Sequence, residues 1–154
     1  MTHMTTASSA DAPSIGRFDG QTHVLAARVY YEDTDFTGVV YHANYLRFME
    51  RGRSEMLRLM AAQAESPPEM GAFAVVHMEL DFLSAARIHD ALVIRTAFAG
   101  LRGPRMMFSQ EVVRDGQILC RAQVVAVAIT PEGKARRPTA AEMQHWASFR
   151  QDAG

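Results

Sequence analysis

Residues 30–54 read YYEDTDFTGVVYHANYLRFMERGRS and hold the densest chemistry in the chain. Three acids, Glu32, Asp33 and Asp35, fall within four positions, and a Thr37-Gly38 pair follows them. After a short apolar run, His42 and Asn44 open a long helical pattern. A helix N-terminus leaves its first backbone N–H groups unpaired and carries partial positive charge. Amides near His42 can therefore polarise a carbonyl oxygen, as an oxyanion hole does. Asp35 lies seven residues earlier and can fold back over that point through Thr37-Gly38. An aspartate of ordinary pKa, about 4, is ionised at neutral pH. It can serve as a general base on water or attack directly as a nucleophile. A thioester suits this equipment better than an amide or an oxygen ester, because its leaving thiol, with a pKa of about 8.5, needs no strong acid catalyst. A base contributes about 10²–10⁴ in rate and an oxyanion donor about 10²–10³. The same acids can also cap the helix or shape a surface turn. The residue types permit this chemistry without requiring it.

Other chemistries find no footing. There is no Gly-x-Ser-x-Gly elbow, P-loop, Gly-x-Gly-x-x-Gly fingerprint or His-Glu-x-x-His pair. His77 and His89 fall twelve apart on separate predicted strands with no third ligand, so no metal site is expected. Cys120 is the only cysteine and sits in the apolar run QILCRAQVVAVAI, as a small core residue does. The net charge is −1, and no basic stripe interleaved with aromatics points to nucleic acid. Lys134 is the single lysine among 16 basic residues. Arginine suits phosphate contacts, although a codon-biased genome gives the same skew.

The elements that must position the acidic turn follow from periodicity. Residues 21–31 read as a strand that the turn stops. A helix is predicted from Ala43 to Ala62, with Tyr45, Phe48, Met49, Gly52, Met56, Leu59 and Met60 on one stripe. Gly52 on that stripe costs about 1 kcal/mol against Ala, which close approach of helix to sheet would offset. Pro67 and Pro68 end the helix. Strands are predicted over 73–83, 90–101, 105–114 and 117–130, with Asp115-Gly116 as a hairpin turn. Thr139 and Glu142 have capping-box spacing and start a short final helix. The pattern is an α+β domain in which an antiparallel sheet curls around one long helix. Residues 1–20 are expected to be a disordered tail and 21–150 a single domain. The tail lacks the apolar core of a signal peptide, and no run approaches the about 20 apolar residues of a membrane span. A cytoplasmic protein is expected.

The stretch YYEDTDFTGVVYHANYLRFMERGRSEMLR resembles the hotdog-fold acyl-CoA thioesterases of the 4-hydroxybenzoyl-CoA thioesterase family, most of all the branch associated with the bacterial Tol-Pal system. The likeness extends more loosely to about Pro138, through LDFLSAARIHDALVI, LRGPRMMFSQEVVRDGQILCRAQV and GKARRP. It implies a curved antiparallel sheet wrapped around a central helix. It further implies homodimers or homotetramers formed by sheet pairing, with active sites at the dimer interface. The family's catalytic carboxylate falls on Asp35, and its other active-site positions fall on Tyr31 and His42. The His42 amide takes the place of the donor that polarises the thioester carbonyl. Asp33 is expected to shape the turn and Asn44 to anchor the helix start. The acyl chain is expected near Val39, Val40, Tyr45 and Phe48, and the coenzyme A phosphates near Arg102 and Arg105. Phe36-Thr37 departs from the family, where Ala-Gly or Pro-Ala is common, so acyl preference does not carry over. The implied reaction hydrolyses an acyl-CoA thioester with no cofactor beyond the coenzyme A of the substrate. An acyl-carrier-protein thioester presents the same pantetheine arm. Two other readings stay open: a hotdog enoyl-CoA hydratase, and an acyl-thioester-binding or scaffold protein without catalysis.

Overall fold

The computed structural model describes residues 10–63 and 72–150. Strands β1 (Arg17–Asp19) and β2 (Thr22–Arg28) lead into a single 3-10 turn at Tyr31–Asp33, and helix α1 spans Asn44–Ala62. Four long strands follow: β3 (Ala72–Phe82), β4 (Ala91–Arg102), β5 (Arg105–Arg114) and β6 (Gln117–Ile129). Helix α2 (Ala140–Ala147) closes the described chain. The six strands form one sheet in the order β1-β2-β4-β5-β6-β3, antiparallel throughout. Register shifts at Val75/His77, Phe98/Gly100 and Val112/Val113 mark bulges, and bulges bend strands and increase their twist. The bent sheet curls around α1, which packs on β2, β4 and β5. This is the hotdog arrangement.

The helix turns its stripe inward as its periodicity requires. Tyr45, Phe48, Met49, Gly52, Met56 and Met60 are all buried. Gly52 is where helix and sheet come closest. A Cβ there would lie 2.6 Å from Ile94 Cγ2 and 2.8 Å from Thr96 Oγ1. Below it, buried Gln110 donates through Nε2 to the Met49 carbonyl and to Thr96 Oγ1, both at 2.8 Å. Its Oε1 accepts from Arg53 Nη1 at 2.9 Å. The helix backbone is thus tied to the sheet by a satisfied polar network at the point of closest packing.

The turn residues match their backbones. Asp115 and Gly116 have φ of 50° and 78°, the doubly positive pair of a type I′ hairpin. At α2, Thr139 Oγ1 accepts from the Glu142 amide and Glu142 Oε1 accepts from the Thr139 amide, both at 3.1 Å. Arg136 grips the same carboxylate through both terminal nitrogens, at 2.9 and 3.1 Å. Cys120 is fully buried, and desolvation, with Asp81 second, pushes its thiol up to about 11. A thiol so protonated is no nucleophile at neutral pH. Among the described residues, no helix is long and apolar enough to cross a membrane.

The domain begins before Gln21. Arg17–Asp19 pair with β2 instead of belonging to a tail. Gly16, at φ 71°, sits where a Cβ would collide with the Val24 carbonyl. The buried His23 ring bonds the Ile15 carbonyl through Nε2 at 2.8 Å. Residues 1–9 and the Pro67-Pro68 helix stop lie outside the described residues.

Gly52→Ala tests the packing. Helix propensity favours Ala by about 1 kcal/mol, whereas overpacking a full core costs about 1–3 kcal/mol. Ile94 and Thr96 are β-branched and stiff, so crowding wins and the urea midpoint falls. A midpoint that holds or rises would mean the sheet yields at this point.

Candidate active site

Asp33 and Asp35 are two residues apart and have opposite surroundings. Asp33 is buried, and both its carboxyl oxygens are engaged. Oδ2 accepts from the Tyr30 amide at 2.8 Å, and Oδ1 accepts from Asn44 Nδ2 at 2.9 Å. Its carbonyl accepts from the Tyr41 amide at 2.9 Å. One side chain thereby joins the end of β2, the 3-10 turn and the first residue of α1. The N-cap, Ala43, makes no side-chain capping bond, so Asn44 anchors the helix start from inside its first turn.

Asp35 stands at the tip of this assembly. Thr34 and Val40 form an antiparallel bridge. Within it, the Asp35 amide donates to the Val39 carbonyl at 2.9 Å and the Gly38 amide to the Asp35 carbonyl at 3.1 Å. Gly38, at φ 84°, supplies the left-handed residue that closes a three-residue hairpin loop. Asp35 Oδ1 accepts from the Thr37 amide at 2.8 Å and the Thr37 hydroxyl at 2.5 Å. These bonds, the hydroxyl's first, hold the carboxyl below its ordinary value. Among the described residues, no hydrogen bond reaches Oδ2.

The chain then passes from Tyr41 into α1. The Asn44 amide bonds the Tyr41 carbonyl at 2.8 Å and the Leu46 amide bonds the Ala43 carbonyl at 3.2 Å. Neither bond uses the amides of His42 or Ala43, the two at the helix entry. The His42 ring is exposed, packed against Tyr41 (centroids 4.5 Å apart) and edge-on to Phe82 (6.2 Å). Tyr31 is 81% exposed and edge-on to His89 at 6.2 Å. Phe36 is fully exposed beside Asp35. The fold brings to one end of the sheet a carboxylate oxygen and helix-entry amides that have no hydrogen-bond partner among the described residues, together with an aromatic rim.

Other expected site residues lie elsewhere. Val40, Tyr45 and Phe48 are 5%, 3% and 1% exposed and belong to the core cluster. Tyr45 accepts from the Ala86 amide at 2.9 Å through its hydroxyl. Within one chain they back the site from inside and line no open channel. Val39 is half-buried and bridges Arg87. Arg102 and Arg105 face each other across the β4–β5 turn, at the far end of β4 from the site. The 12 residues of Ala91–Arg102 separate them along the strand from the 86–90 loop beside the site.

Sequence reasoning passed over the 86–90 loop. Ala86 accepts from the Val40 amide at 2.8 Å, and Val29 donates to Asp90 at 2.9 Å. His89 lies in this loop at φ 71°, not on a strand. Arg114 Nη1 bonds Asp90 Oδ2 at 2.7 Å, which leaves exposed Arg87 as the basic residue beside the hairpin. Only its four-residue turn, RIHD, hinted at this.

Known proteins decide the family. The thioesterase superfamily matches residues 37–121. The chain belongs to that superfamily. It is 42% identical over 106 residues to the acyl-CoA thioester hydrolase YbgC of Escherichia coli, a match covering 68% of this chain and 79% of that one. It is 39% identical over 124 residues to the acyl-CoA thioesterase YbgC of Haemophilus influenzae, covering 79% and 90% of the two chains. A probable thioesterase from Bartonella henselae superimposes with a TM-score of 0.68 at 43% identity, covering 77% of this chain and 98% of that one. The superfamily match takes in α1, β3, β4, β5 and the first residues of β6, while β1, β2, the 3-10 turn, Asp35 and α2 lie outside it.

In this thioesterase-superfamily domain, Asn44→Ala strands Asp33 Oδ1 in a buried position. A buried acceptor without a donor costs about 1–3 kcal/mol, and the gain in helix propensity returns at most about 0.7 kcal/mol. Urea denaturation should show the net loss. An unchanged midpoint would mean that Asp33 finds another donor.

Proposed function

We propose that this chain hydrolyses an acyl-CoA thioester to a carboxylic acid and free coenzyme A. Asp35 acts as general base or nucleophile, and the His42 amide polarises the carbonyl. The observation that carries this reading is the unequal engagement of the two acids. Asp33 has both oxygens bonded in the interior, while Asp35 keeps Oδ2 open on a hairpin that ends at a helix N-terminus. The names of the Escherichia coli and Haemophilus influenzae relatives support an acyl-CoA substrate.

In the base route, Oδ2 takes a proton from water as the water oxygen bonds to the carbonyl carbon. The charge that develops on the carbonyl oxygen falls on the His42 N–H. When the tetrahedral centre collapses, the C–S bond breaks and the thiolate leaves and takes up a proton. In the nucleophilic route, Oδ2 bonds to the carbonyl carbon, the C–S bond breaks and the thiolate leaves and takes up a proton, and water then cleaves the resulting anhydride to the free acid and the Asp35 carboxylate. The rings of Tyr31 and His42 stand on the rim with Phe36 and Phe82, where an acyl or pantetheine chain would pass. Arg87 is the residue nearest to hand for the coenzyme's phosphates. An acyl-carrier-protein thioester fits the same reaction through the same arm.

The site completes itself in a homodimer. Among the described residues, β3 is an edge strand that hydrogen-bonds only β6. Val75, Val76 and Phe82 on it are 45%, 51% and 51% exposed, and an apolar edge of this kind is a template for pairing with another chain. Pairing β3 with β3 of a second copy extends the sheet beside Phe82 and His42, and two such dimers make a tetramer.

Asp35→Asn keeps a side-chain oxygen for Thr37 to bond, so the turn should persist. Thiol release from a panel of short, long and aromatic acyl-CoAs should fall by about 10²-fold or more, with the melting temperature retained. Equal rates would remove Asp35 from its role. Hydration of an enoyl-CoA without thiol release would replace the reading altogether. For the dimer, Val76→Lys should reduce the mass seen by sedimentation to that of one chain, since an edge lysine opposes strand pairing. An unaltered mass would place the interface elsewhere.

A further inference from the structure

The Asp35 carboxylate is held by a single residue. Both bonds come from Thr37, the amide at 2.8 Å and the hydroxyl at 2.5 Å, and both fall on Oδ1. The amide bond is ordinary turn chemistry, since an aspartate opening a tight turn bonds the amide two residues on whatever stands there. The hydroxyl bond depends on the side chain at 37. Hydrogen bonds to an ionised acceptor are roughly twice as strong as neutral ones, and the β-branched Thr has a stiff χ1 that aims its hydroxyl. Gly38 at φ 84° and the Asp35–Val39 bond fix the loop around them.

We propose that Thr37 is a positioning residue for Asp35: its hydroxyl fixes the carboxylate's rotamer so that Oδ2 is the oxygen presented to water or to the thioester carbonyl. The inference rests on Asp35 being the reacting acid. An aspartate held only by the turn amide can exchange among χ1 and χ2 orientations, and many of these carry its open oxygen away from the substrate. With two donors on Oδ1, that exchange requires both bonds to break. The same donors stabilise the ionised form, so the carboxyl sits low. The clamp thereby gives up some proton affinity and gains a carboxylate that stays charged and aimed as the pH falls.

Removing a donor to the charged form raises the carboxyl's pKa, so Thr37→Val moves the acid limb of kcat/KM to higher pH, while Thr37→Ser, which keeps the hydroxyl, leaves it nearly in place. At neutral pH, kcat falls in Thr37→Val with KM little changed. The expected loss is roughly tenfold, inside the 10² or so that a misplaced reacting group costs.

The decisive experiment pairs this profile with a ¹³C NMR titration of the Asp35 carboxyl in wild type, Thr37→Val and Thr37→Ser, which reads the clamp without turnover. Thr37→Ala stands in if the valine disturbs the turn. Parallel upward shifts of the NMR titration and the acid limb in the valine or alanine variant, absent in the serine variant, are the expected result. An Asp35 titration that does not move overturns the clamp. A titration that moves while the pH–rate profile stays put leaves the bond real but removes Asp35 as the reacting group, and the positioning role goes with it. Equal loss in the serine and valine variants, with the titration unmoved in both, would reduce Thr37 to a turn residue.

Discussion

The carboxyl group of Asp33, buried between the Tyr30 amide and the Asn44 side chain, is the joint on which the rest of the site depends. A polar group taken out of water is tolerated only with its partners supplied, and here the partners come from different elements. One is the end of the strand path through β2, the other the first residue of α1. Satisfying the buried acid therefore fixes where the strand stops, how the hairpin of residues 34–40 stands and where the helix begins. The second constraint lies two turns along the helix, at Gly52, where backbone meets Ile94 and Thr96 without a Cβ between them. Asp33 sets the helix start and Gly52 sets its depth. The reactive end of the molecule is thus positioned by groups that take no part in reaction.

That division of labour explains how two aspartates of identical chemistry come to different uses. Asp33 points into the protein and finds donors on two elements, whereas Asp35 points out and finds them only on its own loop. The fold uses the first as a bolt and leaves the second with an oxygen to spare. The Cys120 thiol, raised to about 11 by burial, and the aliphatic core around it show the same contrast. Reactive residue types inside the sheet are inert, and reactive geometry gathers where the sheet ends.

Much of the fold was legible in the residues. The stripe from Tyr45 to Met60 marked α1, the branched runs marked β3 to β6, Asp115-Gly116 marked a hairpin, and the Thr139–Glu142 spacing marked the final helix. Each is a local signal whose physics acts within a few residues. What stayed hidden is non-local. The sequence RFD has no strand pattern, and Arg17–Asp19 become β1 because β2 offers an edge and Gly16 turns the chain toward it. Val40, Tyr45 and Phe48 have types equally suited to a pocket wall and a core, and only the curl of the sheet assigns them inside. Arg102 and Arg105 are assigned to the coenzyme A phosphates by resemblance, and the fold sets them at the β4–β5 turn, the far end of β4 from the 86–90 loop. The different roles of Asp33 and Asp35 come from the resemblance and not from local pattern, since residues two apart on a strand share a face and only the turn sends one inward and the other out.

The order of strands also bears on how the molecule comes into being. β3 is made directly after α1, yet its only strand partner is β6, and Ala72 pairs with Ile129. At a synthesis rate of about 5–20 residues per second, the intervening chain takes roughly 3–10 s to appear. Throughout that interval the edge of β3 has no strand to pair with, while α1 gains its cover only as β4 and β5 emerge beside β2. Pairings so distant in sequence are closed late and slowly. The nascent protein thus passes through a stage in which its reactive hairpin and helix are already synthesised while the surfaces that will hold them are not. In the cell, the vulnerable period of this domain is set by the ribosome's progress to the end of β6.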